Sequence, residues 1–586
     1  MLTGWDYAVI GCYLIFMMGI GLLWSRINKN ASDFFRGGGN ILWWINGMSS
    51  LAVGLTAYSF TAAGAKVFET GFLLVIVYLV GIIPYLLIYF FLAARYRQMR
   101  AVTVCDAIRR RFGKPTEQFW VWTALPIGLF QGGVMLYIIS LFVSAAIGLP
   151  IVPTIMLLAV AVTVLASSGG SYAVSASDFI QMMIIIVVSI TILVRTLLLP
   201  EVGGFSGFFG QLPEHYINFS LFERPAVWIS LMMMFTAVNV LRALDLNTNG
   251  AKFLTVKDGH HAKKACMMMI VGTALVPLIA FTPVMAAGML DFDLPSMFPN
   301  LKNASEGAYV AIAQKVLPQG MMGLMVCSIF AATLSSMDTA LNKNAGFFVK
   351  NFYGDIINPN ASEKTLLYLG RVFSVVFGGI VMGAAILISM FRDADLFSML
   401  LKFNVLLQFP LIIPMVLGIL YKRTPGWSCW STVLVSMLAG WITQKLLDIS
   451  QLCDLLGMQM PLNELEAKDM TFIVSGVITI LVGTSWYFFT SFFYNRFASE
   501  KYTASVEAFY KDMNTPIDHV AEKTSDSDAA QYRNMSLMCF VYGTAICLGA
   551  LIPNTGAERL LFIYAGGTFL LVGGLLRFIY NRKKTI

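Results

Sequence analysis

The sequence predicts an all-α membrane protein of about fifteen transmembrane helices, each needing roughly 20 apolar residues to cross a bilayer. Three observations carry that prediction. Of the 586 residues, 58% are hydrophobic and only 12% are charged, whereas soluble proteins carry about 25% charged residues. Mean hydropathy is +0.73. The Lys and Arg that remain cluster in short segments between apolar runs and do not cover a surface. Such a composition cannot build a solvated shell, which excludes a soluble multidomain enzyme, a disordered chain and a disulfide scaffold. The net charge of +8 is a topology signal and implies no nucleic-acid partner.

The first apolar run, over residues 7–23, is too long for a signal-peptide core and lacks a small-residue cleavage site, so it reads as a retained span. Further runs begin near residues 44, 72, 117, 150, 178, 226, 266, 319, 366, 396, 427, 471, 534 and 558. Basic segments follow the odd-numbered spans: Arg26, Lys29 and Arg36 after the first, Arg95 to Lys114 after the third, and Lys252 to Lys264 after the seventh. Lys343 and Lys350 follow the ninth span, Lys422 and Arg423 the eleventh, and Arg582, Lys583 and Lys584 the last. The positive-inside rule then sets the N-terminus outside and the C-terminus in the cytoplasm of a multi-pass protein of the plasma (cell inner) membrane. The eight cysteines are scattered without a CxxC pair and read as free thiols in packing positions. Residues 288–318 read as an external loop with a short helix over 304–316, and residues 497–533 as a solvated polar linker in the cytoplasm.

Three spans are not simply greasy. Span two, over residues 47–64, is rich in Gly, Ser, Thr and Ala. Lipid cannot satisfy backbone groups, so such a span is buried in protein or lines a cavity. It suits either close packing through small residues or a discontinuous helix whose unwound carbonyls bind a cation. In span nine, Ser335, Asp338 and Thr339 stand at i, i+3 and i+4 and share one helical face. An Asp beside hydroxyls within a membrane calls for a cation or a donor, and sodium, a hard ion, prefers oxygen ligands. The alternative is a carboxylate reaching the cytoplasmic end of its span. Asp178, at the start of span six, suits a helix N-terminus; a ligand role requires a second motif that brings a cation near it.

Taken in order, these motifs resemble the sodium/solute symporter family, whose members carry sugars, inositol, proline, sialic acid, pantothenate or monocarboxylates with sodium. The resemblance rests on Asp6-Tyr7, Ser32-Asp33-Phe34-Phe35-Arg36-Gly37-Gly38-Gly39, Trp43-Trp44 and the Ser-Leu-Ala run of span two. It continues through Gly169-Gly170 to Asp178 and Gln181, Leu317-Pro318 with Gly323, Ala331 to Ser336 with Asn342, and Leu417 to Thr424. It implies a five-plus-five inverted-repeat core of leucine-transporter type. Residues 1–43 would hold the first span and its loop, and 44–177 with 178–225 the first repeat. The second repeat would occupy 226–425, and 426–586 the additional spans. The resemblance places a main sodium site on the carbonyls of Ala52, Leu55 and Ala332 and the hydroxyls of Ser335 and Ser336. A second sodium site, found in some members, maps to Asp178, Ser335, Asp338 and Thr339. Here Asp338 replaces a Ser, which either strengthens that site or empties it by pairing with a Lys. Residues 245–254 keep only Lys252 in place of the family's Arg.

Solute liners are expected near the midplane between the repeats: Tyr58, Ser59, Tyr78, Gln131, Asn239, Arg242 and Lys402. Sugar-carrying members place a Glu near Val77-Tyr78 and a Gln near Lys402. Losing an acceptor and gaining a cation argues against a plain hexose and for a carboxylate-bearing solute, with a sugar or polyol as the other class. The competing readings are local pairs, Lys66 with Glu69 and Arg242 with Asp245, and a Lys402 that snorkels. The expected function is sodium-coupled secondary active symport by alternating access, with one sodium ion and a second left open. Its partners are the solute, sodium and the bilayer, with no nucleic acid and no obligate protein partner. No enzyme activity is expected, since Walker, nucleophile-elbow and HExxH motifs are lacking. An intramembrane enzyme using Asp178 and Asp338, or a sensor that keeps a transporter fold, are the rival classes.

Overall fold

The computed structural model describes residues 2–25, 39–52, 55–101, 103–168, 171–217, 225–390, 402–447, 464–517 and 528–585. Among them the secondary structure is helical, with a single parallel bridge between Ile41 and Val256. Helix α1 spans Gly4–Ser25. The second span is interrupted: α2 covers Trp43–Ala52, α3 Ala57–Phe60 and α4 Ala62–Thr70, with a bend of 47° across the break. Thr56 is extended there, at φ −92° and ψ 174°. Ser, Thr and Gly lend little helix propensity, the hydroxyls because they compete for backbone groups and Gly through backbone entropy, so the ladder breaks where they concentrate.

Helix α5 (Phe72–Gln98) and the short α6 (Val104–Phe112) lead to α7 (Lys114–Ile147), α8 (Ile151–Ser168) and α9 (Ser171–Leu197). Then come α10 (Pro225–Ala243), a wide turn over Leu246–Gly250, α11 (Ala251–Leu254) and α12 (Gly259–Ala287). A 3-10 turn over Ala304–Gly307 and α13 (Ala308–Val316) fill the loop that precedes α14 (Met321–Gly346). The longer helices that follow are α15 (Glu363–Met390), α16 (Phe409–Leu420), α17 (Ser428–Leu446), α18 (Glu464–Phe489), α19 (Glu500–Asn514), α20 (Asp528–Leu548) and α21 (Gly556–Thr585). Against the fifteen expected spans, eight helices among the described residues are long and apolar enough to cross a bilayer, nine if the bent pair is one span. Three shorter apolar helices accompany them. The seven described cysteines are free thiols; Cys453 lies outside the described residues.

Helix α14 is the centre of the bundle and packs against α1, α7 and α9. Its N-terminus is held by Asp6 of α1, whose carboxylate accepts from the amides of Gly320 (2.8 Å) and Gly323 (2.9 Å). A Cβ on Gly323 would stand 2.5 Å from the Asp6 carbonyl oxygen. One contact thus accounts for both the Asp6-Tyr7 and the Gly323 motifs.

The expected linker at 497–533 is corrected by the structure. Helix α19 docks on the basic end of the bundle and buries Val506, Phe509 and Met513. These residues form one stripe at i, i+3 and i+7, obscured in the sequence by the charges around it. Arg111 of α6 organises the seam. Its guanidinium donates to Gly418 O at 2.9 Å, Tyr502 OH at 2.9 Å, Tyr421 O at 2.9 Å and Thr424 Oγ1 at 2.9 Å. Burial opposes the Arg111 charge, but Tyr487, Tyr502 and Tyr510 outweigh it and hold its pKa above the usual value.

Two outcomes follow for detergent-purified protein. Gly323→Ala should cost about 1–3 kcal/mol through overpacking, read as a lowered thermal midpoint, whereas Gly379→Ala, where a Cβ meets nothing within 4 Å, should leave the midpoint unchanged or raise it through better helix propensity. Phe509→Asp should release α19, seen as new protease cleavage between residues 499 and 515, while far-UV helicity is largely retained.

Candidate functional site

The break in span two sits against α14. Ala52, at 1% exposure, ends α2, and Leu55, at 0%, follows the gap. Carbonyls at or beyond a helix end lack an i+4 amide and seek other partners. On the far side, the Ala57 amide, first in α3, donates to Thr333 Oγ1 at 2.9 Å, and that hydroxyl donates to Ile329 O at 3.0 Å. Thr333 follows Ala332 directly and precedes Ser335 by two residues, so the bond ties the break to the stretch of α14 expected to hold sodium. The helical backbone of that stretch is described, but the side chains of Ala332, Ser335, Ser336, Asp338 and Thr339 lie outside the described residues. Neutral carbonyls at a helix break beside a helix bearing hydroxyls are the hard oxygen donors that a sodium ion takes.

Asp178 does not stand at a helix N-terminus as the sequence implied. It lies nearly two turns inside α9 and is fully buried. Its Oδ2 accepts from the Ser49 hydroxyl of α2, and Lys252 Nζ of α11 stands 3.7 Å away. That ammonium donates to Ser49 Oγ at 2.6 Å. The Lys252 main chain is itself fixed: its carbonyl accepts from Asn46 Nδ2 at 2.7 Å, and the same amide donates to Thr255 Oγ1 at 2.6 Å. The Ile41 amide donates to Thr255 O at 3.1 Å, and Arg97 donates to Val256 O. The start of α2 and the segment after α10 are therefore bolted together at the basic end.

Some of the expected solute liners meet and others do not. The Tyr78 hydroxyl of α5 pairs with the Ser59 side chain of α3, and the Arg242 charge reaches both Tyr78 and Tyr85. Tyr78 packs edge-on against Phe281, ring centroids 4.8 Å apart. Tyr58 is half-buried on α3, Asn239 is half-buried on α10, and Gln131 lies on α7, which packs against α3. Lys402 instead sets its ammonium 5.4 Å from the ring centroid of Phe472 on α18. Glu69 accepts from the Asn303 amide at 3.3 Å.

Three residues that organise this region do not stand out in the sequence as candidates: Asn46, Ser49 and Thr333. Asn46 and Ser49 are three apart, hence on one face of α2, and that spacing was the available signal. In the sequence, Thr333 is one more hydroxyl in a hydroxyl-rich span.

If Thr333 sustains the break, Thr333→Val strands the buried Ala57 amide. The expected cost is about 1–3 kcal/mol, read as a lower thermal midpoint and a weaker stabilisation by sodium chloride relative to choline chloride. Thr333→Ser should behave as the wild type.

Comparisons with known proteins agree with this architecture. The model of the sodium:solute symporter family matches residues 34–434. The sodium/sialic acid symporter SiaT of Proteus mirabilis (strain HI4320) is 22% identical over 439 residues, covering 74% of this chain and 88% of that protein. Sodium/glucose cotransporter 1 of Ovis aries is 24% identical over 489 residues, covering 73% and 70%. A solved structure of a substrate-bound, outward-open Na+-coupled sialic acid symporter superimposes with a TM-score of 0.68 at 21% identity, over 85% of this chain and 98% of its own. It is the fold that this last likeness establishes. Apolar helices, a broken span seated on α14 and a family match over most of its length make this a multi-pass membrane protein that belongs to the sodium:solute symporter family.

Proposed function

We propose that the protein is a sodium-driven secondary active symporter of a small carboxylate-bearing solute, working by alternating access. The observation that carries sodium coupling is the bond from Ala57 to Thr333 (2.9 Å), which seats the helix break on α14. Sodium at Ala52, Leu55, Ala332, Ser335 and Ser336 would add a second bridge between the broken span and α14, beside the bond from Ala57 to Thr333. The resident ion supplies charge and oxygen-ligand bonding only; the chain provides the carbonyls and hydroxyls.

For the solute, Arg242 is the observation that discriminates. An exposed guanidinium within electrostatic reach of two tyrosines, one joined to Ser59, suits a carboxylate better than a neutral sugar, because Arg offers paired donors to two oxygens. Tyr58, Gln131 and Asn239 complete the proposed lining; Lys402, drawn to Phe472, is left out of it. Relatives named as sialic acid symporters handle an acidic sugar and relatives named as glucose cotransporters a neutral one, so both classes belong in the test. The two five-helix repeats, spans two to six and seven to eleven, would rock about this centre. On this reading the protein sits in the plasma membrane, and the alternating basic loops support an N-terminus outside and a C-terminus in the cytoplasm.

Two measurements test this reading. In proteoliposomes, uptake should require an inward sodium gradient, and Ser335→Ala and Ser336→Ala should each raise the half-saturating sodium concentration roughly five- to tenfold, the worth of about 1–1.5 kcal/mol for one hydroxyl ligand. Uptake unchanged when choline replaces sodium would sink the coupling. A thermal-shift screen of carboxylates, sugars and amino acids in sodium reads ligand binding to the folded state. Carboxylates should stabilise the wild type and not Arg242→Gln, whereas stabilisation by neutral sugars alone would overturn the assignment of solute class.

A further inference from the structure

We infer that Lys252 is a built-in cation that occupies Asp178 in place of a second sodium ion, so that the protein binds a single sodium. The inference rests on the proposed sodium symport and on the geometry around Asp178. A sodium site on Asp178 needs carboxylate and hydroxyl oxygens whose lone pairs are available. Here Asp178 Oδ2 already accepts from Ser49, and the Lys252 ammonium lies 3.7 Å from the same oxygen. Ser49 is committed twice, donating to the carboxylate and accepting from Lys252 at 2.6 Å. A sodium ion beside Asp178 would share one carboxylate with a fixed positive charge a few ångströms off, in a place where Asp178 is 1% and Lys252 13% exposed by side chain. Like charges so placed repel strongly in a low dielectric.

Nor is the lysine there by a chance rotamer. Its carbonyl is held by Asn46 at 2.7 Å, and Ser49 lies one turn further along the same face of α2. The two anchor points fix main chain and ammonium together, so the side chain bridges α11, α2 and α9 with its charge at Asp178. Every group in the triad has a partner: a carboxylate, a hydroxyl that relays between donor and acceptor, and an ammonium. Lys252 therefore supplies the neutralising charge that a second ion would bring, but covalently tethered and unable to be carried across the membrane.

The test counts ions without needing the solute. Equilibrium binding of radioactive sodium to the purified full chain should saturate at one ion for the wild type, with a Hill coefficient near unity. Lys252→Met should double the sodium bound, and Lys252→Gln, a smaller perturbation of the fold, should do the same. Lys252→Arg should stay at one, and adding Asp178→Asn to Lys252→Met should return the count to one. A wild type that binds two ions, and loses one on Asp178→Asn, would overturn the inference; so would a Lys252→Met or Lys252→Gln protein that remains at one. If neither the wild type nor Lys252→Met binds sodium, sodium symport and the inference fail together, which separates that failure from a wrong ion count.

Discussion

The constraint on which the rest of this structure depends is that the bilayer offers nothing to an unpaired backbone group. A helix interrupted between Ala52 and Ala57 must borrow partners from within the protein, and each neighbour of the break is placed to lend one. Thr333 accepts the first amide of α3. Thr61, at the junction with α4, donates its hydroxyl to the Ala57 carbonyl at 2.9 Å. Ala52 and Leu55, on either side of the gap, are buried and so screened from lipid. The break is seated on α14 by the bond from Ala57 to Thr333, and Asp6 in turn ties the start of α14 to α1.

The same logic runs along the basic end of the bundle. Residues 39–42 carry backbone groups outside any helix, and three separate elements satisfy them. Gln531 of α20 donates to Asn40 O at 2.7 Å and accepts from the Leu42 amide at 3.1 Å. Thr255 accepts from Ile41, and Arg97 donates to Gly39 O at 3.4 Å and to Val256 O. Helix α20, beyond the residues matched by the family, thus grips the entry to the broken helix. Its first residue, Asp528, pairs with Lys583 at 2.9 Å and Lys257 at 3.7 Å. The added helices buttress that entry.

Much of this was legible in the sequence because the relevant signals are local. Apolar runs mark the helices, the Gly, Ser and Thr cluster of span two marks a strained span, and alternate basic segments mark one end of the bundle. The parts that were not legible depend on contacts between distant residues. Asp178 reads as a helix cap because its partners, Ser49 and Lys252, come from two other elements. Lys402 reads as a solute ligand from its position inside an apolar run, yet the aromatic ring that draws it belongs to α18. Helix α19 reads as a solvated linker because charge dominates its composition, while docking depends on three apolar residues and on Arg111 reaching from α6.

The two polar centres of α2 lie one turn apart. Ser49 belongs to the Asp178–Lys252 cluster, and Ala52 to the edge of the break. A short helix is stiff over that distance, so α2 cannot swing away from α14 at one centre without straining the other. Opening the basic end would separate α2 from α11 and leave a buried charge without its partner, which costs about 3–5 kcal/mol in comparable pairs. The sodium ion proposed between α2 and α14 would resist the same movement from the other side. On that proposal, ion occupancy and the Lys252 contact would favour the same closed arrangement of the basic end, and departure of the ion would remove one of the two restraints. Coupling on this proposal takes a simple physical form: one rigid turn of helix, from Ser49 to Ala52, would carry the state of the break to the basic end.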